Sequence, residues 1–135
     1  MERRKKGSGR INKMNDKEQI DNLLQLYVDS MDESDPEKVK QAFHKNAKVV
    51  GYLHGDFMEM STEDFANFVA AQQPSPKDKG EDVVFELLSC EIEGTTALAK
   101  VRDKYLGITF LDTLSFIKVD DRWQLYTKLF NVESE

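Results

Sequence analysis

The first half of the chain places hydrophobic residues at helical spacing. One stripe recurs every three or four residues, and it predicts a helix whose start either Asn15 or Asp16 can cap. The stripe consists of Ile20, Leu23, Leu24, Tyr27, Val28 and Met31. Asp35 followed by Pro36 predicts the start of a second, shorter helix, because proline fits the first helical position.

A hairpin and a third helix follow in the pattern. Residues 47–52 and 57–60 read as short strands around a turn at His54-Gly55-Asp56. Ser61 with Asp64 three positions later resembles a capping box and predicts the start of the third helix.

The second half of the chain changes to strand spacing. Four long strand segments are predicted, at 83–93, 96–106, 108–120 and 122–132. Their connections are so short that neighbouring strands must be antiparallel, which makes them a meander. Helices gathered on one face of such a sheet indicate an α+β fold, with a central pocket enclosed between the layers.

Composition narrows the class of protein further. The chain has 135 residues, a net charge of −6 and one cysteine, Cys90. This length suits one domain, predicted at 15–135 and preceded by a basic, flexible tail at 1–14. The acidic balance argues against nucleic acid as a partner, and the lack of about 18 consecutive apolar residues argues against a membrane span. A lone cysteine in an apolar strand favours core packing and a reducing, cytoplasmic location.

Neither of the last two strands has a purely polar face. On 108–120 and 122–132, both alternating sets of positions contain large apolar residues. A sheet with one solvated face should alternate more cleanly. We therefore expect the helices to cover one face and a second copy of the chain to cover the outer face, as a homodimer.

Asp112 interrupts an otherwise apolar strand face. The other residues of that face are Ile108, Phe110, Leu114 and Phe116. A buried carboxylate must gain a partner or stay protonated. Two interpretations remain open: a structural pair with Lys128 or Arg102, or a polar group that points into the pocket. Lys128 shares the face of Asp112 only if the Asp120-Asp121 turn contains a bulge.

Three stretches carry a resemblance to a known family. They are LYV…DPEKV…AFH…AKV within 26–49, FLDTLSFIK at 110–118 and RWQLYTKLF at 122–130. Over about 16–133 the chain resembles the nuclear-transport-factor-2-like (NTF2-like) superfamily, and the last two stretches most resemble its "putative lumazine-binding" branch. The resemblance implies three helices on a strongly curved, mainly antiparallel sheet, the cystatin-like cone.

The ketosteroid isomerases of this superfamily allow a comparison of residues. The resemblance matches Tyr27 to their oxyanion-binding Tyr and Asp112 to their protonated Asp, while their catalytic base falls on Gly51. Glycine has no side chain that can take a proton, so catalysis of that type is not expected. His54 is then the candidate base, although a histidine exposed in a turn is equally ordinary.

The sequence therefore favours a homodimeric pocket protein that binds a small, flat or aromatic molecule. The expected ligand-binding residues are Tyr27, Tyr52, Phe65, Phe110, Asp112, Phe116 and Lys128. The alternative is an acid–base isomerase, dehydratase or cyclase of the polyketide-cyclase-like type. A third possibility is an interaction module whose pocket is filled by side chains. Neither a metal site nor a cofactor is expected, since the histidines are few and there is no phosphate-binding glycine loop.

Overall fold

The computed structural model describes residues 14–135. The predicted flexible tail at 1–14 lies, apart from Met14, outside these residues and stays a prediction. Within them the chain forms three helices and six strands. The helices are α1 (Asp16–Asp32), α2 (Pro36–Ala42) and α3 (Thr62–Ala70). The strands are β1 (Phe43–Leu53), β2 (Asp56–Ser61), β3 (Phe85–Glu93), β4 (Thr96–Tyr105), β5 (Ile108–Val119) and β6 (Arg122–Ser134).

Each helix begins at a side-chain cap. Asn15, rather than Asp16, caps α1, and its side chain accepts a hydrogen bond from the backbone of Glu18. Asp35 caps α2 with Pro36 at the first helical position, as predicted. The expected capping box of α3 is present between Ser61 and Asp64. These caps satisfy backbone N–H groups that have no partner within the helix.

The strands form one curved sheet in the order β2-β1-β6-β5-β4-β3. Strands β3 to β6 are antiparallel neighbours, which confirms the meander. β1 runs parallel to β6 and starts at Phe43, four residues earlier than predicted. The fold is therefore α+β with a mainly antiparallel sheet, as the sequence predicts.

The turn between β5 and β6, which the sequence leaves open, contains no bulge. Val119 pairs with Arg122, so the connection is a plain two-residue turn. Asp120 and Asp121 both take positive φ angles, 51° and 63°, which suits the twist of a tight hairpin. The expectation that Lys128 shares the face of Asp112 only if this turn contains a bulge is wrong, because Lys128 reaches that face although the turn has none.

The bulge lies inside β6 instead, at Tyr126. The residues on either side of Tyr126 pair with consecutive residues of β5, which leaves Tyr126 as the extra one. The register beyond it shifts by one, and Lys128 pairs with Leu114. Lys128 therefore shares the inner face of the sheet with Asp112, as it would after a bulge in the turn.

The core lies between the three helices and the inner face of the sheet. Its largest fully buried side chains include Trp123, Tyr27 and Phe43. α1 contacts β6 and α3 contacts β1, so the helices gather on one face. None of the helices in the described part of the chain has the length and apolarity that a membrane-spanning helix requires.

Candidate ligand-binding site

An apolar cavity opens between α3, the β1–β2 hairpin and the nearby ends of β4, β5 and β6. The cavity has a volume of about 60 Å³, measured as the space open to the centre of a water molecule. Its lining residues are Val49, Leu53, Met58, Met60, Phe65, Phe68, Tyr105, Leu106, Ile108, Phe110, Lys128 and Phe130. Leu53, Met58 and Leu106 are partly or largely exposed and mark the mouth, whereas Val49 and Phe65 are buried at the inner end.

Lys128 is the charged side chain among these lining residues, and it is only 6% exposed. Its ammonium group donates a hydrogen bond of 2.5 Å to the hydroxyl of Tyr27. It also lies 4.8 Å from the ring centre of Tyr27 and 5.3 Å from that of Phe65, distances at which cations are attracted to aromatic faces. The amine thus sits at the boundary between the cavity and the core.

Two carboxyl groups lie behind this amine. The Tyr27 hydroxyl is 3.2 Å from Asp103 Oδ2 and 3.4 Å from Asp112 Oδ2, so it can donate to either. Asp112 Oδ2 lies 3.7 Å from Lys128 Nζ, within range of an ion pair. Within residues 14–135, the Oδ1 atoms of Asp103 and Asp112 have no hydrogen-bond partner. We call these four side chains, Tyr27, Asp103, Asp112 and Lys128, the polar cluster.

Burial shifts the protonation of the polar cluster. It raises the pKa of Asp112 to about 7; the positive charge of Lys128 opposes this rise, and the charge of Asp103 adds to it. Burial likewise raises the pKa of Asp103. It also raises the pKa of Tyr27 well above its usual value, with the two carboxylates acting in the same direction. Near neutral pH we expect one proton shared by the two carboxyls, which leaves one negative charge opposite Lys128.

The side chain of Lys128 lines the cavity, and its amine lies between the cavity wall at Phe65 and the two carboxyls. An ammonium group has three N–H donors. One is bound by Tyr27, and the next acceptors are Met31 Sδ at 3.8 Å and Asp112 Oδ2 at 3.7 Å. Chemically, the site can bind an oxygen acceptor on an apolar molecule and can pass protons between the amine, the phenol and the carboxyls.

The structure brings five of the seven expected binding residues to this region. Phe65, Phe110 and Lys128 line the cavity. Tyr27 and Asp112 lie one layer further in, behind the amine of Lys128.

The other expected residues lie elsewhere. Phe116 is 2% exposed in the core and is absent from the cavity lining. Tyr52 points to the opposite side of β1 from Val49 and Leu53; it is 65% exposed and packs edge-on against Phe57. His54 lies in the exposed β1–β2 turn, where its Nδ1 is 3.2 Å from Glu135. No side chain connects His54 to the polar cluster in the described contacts.

Gly51 is enclosed by its neighbour on β6. A Cβ atom at this position would lie 2.4 Å from the backbone oxygen of Phe130 and 2.7 Å from its ring. A larger residue is therefore sterically excluded. The position that matches the isomerase base holds no side chain, and Phe130 occupies the space that one would need.

Sequence reasoning missed Asp103, which completes the polar cluster from β4. The sequence pattern that identifies Asp112 also identifies Asp103, because Asp103 interrupts the apolar inner face of β4. The other residues of that face are Ala97, Ala99, Val101 and Tyr105. Asp103 also borders a second cavity of about 40 Å³, whose lining includes Asp32, Asp82 and Tyr105.

No metal centre emerges from the described geometry. Between residues 14 and 135, His, Cys, Asp and Glu side chains nowhere gather in a group of three or more that could hold a metal ion. Asp103 and Asp112 form a pair in which a lysine amine and a phenol take the remaining hydrogen bonds. Such a set suits proton sharing better than cation binding.

Comparison with known proteins agrees with the fold. The model of the family described as "Putative lumazine-binding" matches residues 15–131. A curated relative, "Aldolase FrzH" from Cladobotryum sp, is 27% identical over 107 residues, covering 78% of this chain and 82% of the relative.

Solved structures show the same architecture. An NTF2-like protein of unknown function from Silicibacter pomeroyi has a TM-score of 0.78 at 22% identity, covering 89% of this chain and 100% of that one. One from Methylobacillus flagellatus has a TM-score of 0.78 at 22% identity, covering 91% and 96%. A cystatin-like domain from Nostoc punctiforme has a TM-score of 0.69 at 17% identity, covering 92% and 81%. The chain has the fold of these NTF2-like proteins, and it belongs to the "Putative lumazine-binding" family.

Proposed function

We propose that this protein binds a small organic molecule in the apolar cavity and that Lys128 holds an oxygen acceptor of that molecule. The observation that carries this proposal is a buried amine, on a side chain that lines an apolar cavity, with one short hydrogen bond, to Tyr27, and only longer contacts to Met31 Sδ at 3.8 Å and Asp112 Oδ2 at 3.7 Å. Such a combination, mostly apolar walls with one orienting polar group, is typical of ligand sites. The family description and the NTF2-like fold support the same class of function.

The size of the cavity limits the ligand. At about 60 Å³ it is smaller than the roughly 150 Å³ engineered cavity that accepts benzene. A short aliphatic chain fits the space as it stands. A flat aromatic ring requires the side chains of Met58 and Met60, near the mouth, to move, and methionine adapts readily to such changes.

The head group of the ligand follows from the position of the charges. Lys128 faces the cavity, while Asp103 and Asp112 lie behind it and balance its charge. A carbonyl oxygen can accept a hydrogen bond from the amine without adding a net charge to the buried site. A cationic head group would meet the ammonium group and is disfavoured.

Titration with pentanamide, followed by ¹H–¹⁵N NMR, tests this proposal. Pentanamide has a short apolar tail and a carbonyl, and we expect it to shift the amide signals of Phe65, Phe110 and Phe130. Lys128→Met should weaken binding about tenfold or more, because a hydrogen bond to a charged group contributes about 1.5–3 kcal/mol.

Matched controls distinguish binding in the cavity from binding at the surface. Lys100→Met removes an exposed amine that bonds to Thr113 on the outer face, and it should leave pentanamide binding unchanged. Pentylamine has the same tail with a cationic head, and it should bind more weakly than pentanamide. Equal binding to wild-type protein and Lys128→Met would contradict the proposal, as would shifts confined to the outer face.

A second candidate function is acid–base catalysis next to a carbonyl group. It is favoured by the Asp112 carboxyl, whose pKa of about 7 suits proton transfer near neutral pH, and by the similarity to a protein named an aldolase. Isomerases, dehydratases and aldolases of this kind share an early step, the removal of a proton beside a carbonyl. Exchange of these hydrogens of pentan-2-one in D₂O, measured by ¹H NMR, should be accelerated by the protein and should fall at least about tenfold in Asp112→Asn. No acceleration over buffer would remove this candidate.

The outer face of the sheet supports the further proposal of a homodimer. Leu98 and Leu129 are each 48% exposed on this face, and Thr113 and Ser115 of β5 lie between them. The hydroxyls of Ser115 and Thr127 form a hydrogen bond with each other there, so these two polar groups need no partner from a second molecule. A second copy of the same face would cover this surface.

A further inference from the structure

The amine of Lys128 can act as a nucleophile as well as a hydrogen-bond donor. Desolvated lysine amines form Schiff bases with carbonyl compounds. Lys128 is 6% exposed and lines an apolar cavity, and its Nζ atom lies 5.3 Å from the ring centre of Phe65, which lines the same cavity. A carbonyl group that enters this cavity with its tail toward the mouth arrives beside a primary amine.

The side chains around the amine can accept and return the protons that such a reaction transfers. A lysine attacks a carbonyl only as a neutral amine, so the ammonium group must first release a proton. The Tyr27 hydroxyl accepts a hydrogen bond from Lys128 and can donate to Asp103 or Asp112. Both carboxyls keep an Oδ1 atom without a partner among the described residues, so each can take up a proton.

We propose that Lys128 forms an imine with a small aldehyde or ketone bound in the cavity, with Tyr27 and the paired carboxyls carrying the protons. This inference rests on the proposed ligand-binding function and names the chemical class of the ligand. It goes beyond that function because the amine becomes a covalent nucleophile.

The steps balance in atoms and charge. The ammonium group passes one proton through Tyr27 to a carboxylate. The nitrogen lone pair then forms a bond to the carbonyl carbon as the C=O π bond breaks, and transfer of one of the two amine protons to oxygen gives a neutral carbinolamine. The stored proton returns to the hydroxyl of the carbinolamine, the C–O bond breaks, and water leaves the iminium ion. The net change is an ammonium group plus a carbonyl compound giving an iminium ion plus water, with no oxidant or reductant.

The walls of the cavity select the carbonyl compound. Phe65, Phe110 and Phe130 surround the inner end, and the space of about 60 Å³ suits a short chain. Low exposure of Lys128 also limits access of bulk water, which would hydrolyse the imine. Short aliphatic aldehydes and methyl ketones are the predicted class.

Reductive trapping tests the inference directly. The full chain is incubated with butanal and sodium cyanoborohydride, digested, and mapped by mass spectrometry. We expect a secondary amine on the peptide that contains Lys128, and at least tenfold less label there when pentanamide, which forms no imine, fills the cavity. Tyr27→Phe should slow labelling of Lys128 about 10- to 100-fold, because it removes the proton relay. In Lys128→Arg, which keeps the positive charge, the label at position 128 should be absent.

The outcomes separate this inference from the proposed function. Labelling of Lys128 that pentanamide suppresses supports the imine, with the exposed Lys100 as the unprotected reference. Pentanamide binding without label at Lys128 overturns the imine and leaves the ligand-binding function standing. Absence of both binding and label overturns the two together. Labelling of Lys128 at an unchanged rate in Tyr27→Phe overturns the role of Tyr27 in the relay.

Discussion

The polar cluster is a group of four side chains whose burial is tolerable only because they satisfy one another. Lys128 donates to Tyr27, and Tyr27 donates to one of two carboxyls. Removing one partner of a buried charge leaves the other without compensation. The cluster therefore fixes the position of the amine beside Phe65, a residue of the cavity wall.

Replacement of Asp112 by Asn should change how stability depends on pH. The pKa of Asp112 is about 7 in the folded protein, compared with 3.8 as its ordinary value. A raised pKa means that the folded state binds the proton more tightly, so this stability is complete below about pH 4 and is lost as pH rises through 7. At about 1.4 kcal/mol per pKa unit, the loss reaches about 4 kcal/mol at most.

Urea unfolding of both proteins between pH 4 and 8 measures this difference. The free energy of unfolding of the wild type should fall relative to that of Asp112→Asn over this range. Asp103→Asn is a matched control that leaves Asp112 in place, and it should keep part of the slope. Parallel curves for wild type and Asp112→Asn would contradict the raised pKa.

Gly51 should tolerate no side chain. In Gly51→Ala the new methyl group would meet the backbone of Phe130 at 2.4 Å, and overpacking of this kind costs about 1–3 kcal/mol. Thermal or urea unfolding measures the cost. Gly94→Ala places its methyl group in open space and should cost less, about 1 kcal/mol, for its positive φ. A Gly51→Ala variant as stable as the wild type would show that β1 and β6 do not approach as described.

At the residue scale, the sequence predicts part of the candidate site. Asp112 is recognisable because a carboxylate interrupts an apolar face, and the same reasoning applied to β4 would have found Asp103. Tyr52 shows the limit of such reasoning. Its aromatic character suggests a pocket residue, but the alternation of β1 turns it outward beside Phe57.

At the element scale, a single bulge decides which face Lys128 occupies. Tyr126 is the extra residue of β6, and it changes the inward positions from odd to even. Trp123 and Leu125 point inward before it, and Lys128 and Phe130 after it. The caps and the meander could be predicted because their signals are local. The bulge could not be placed from its turn residues, since the pairing across β5 and β6 is a property of the sheet.

The cap of α3 should matter for the cavity, because this helix carries Phe65 and Phe68 into its wall. Ser61→Ala removes the side chain that accepts a hydrogen bond from the backbone of Asp64. We expect a loss of about 1 kcal/mol in unfolding free energy and faster hydrogen exchange in α3. Ser61→Thr retains the hydroxyl and should exchange nearly as slowly as the wild type. Unchanged exchange in Ser61→Ala would contradict a contribution of the cap.

At the scale of the whole molecule, the two faces of the sheet differ in what they contact. The inner face builds the core and the cavity with the helices, while the outer face keeps exposed leucines. The fold was accessible from the sequence because hydrophobic spacing, caps and the family resemblance all indicate the same architecture. The size of the cavity was not, because it depends on how the side chains of three helices and six strands fill the space between them.

The proposed dimer predicts a concentration-dependent mass. Leu129→Glu places a charge at the centre of the outer face, and we expect it to shift the protein from dimer to monomer in analytical ultracentrifugation. Val119→Glu adds the same charge at the exposed end of β5 and should leave the mass unchanged. A monomeric wild-type protein at high micromolar concentration would contradict the dimer.

A crystal structure of the protein with pentanamide tests the central claim most directly. The account predicts electron density for the ligand in the apolar cavity, with its carbonyl oxygen about 2.7–3.2 Å from Lys128 Nζ and its tail directed toward Met58. Density elsewhere on the molecule, or a Lys128 amine turned away from an empty cavity, would contradict it.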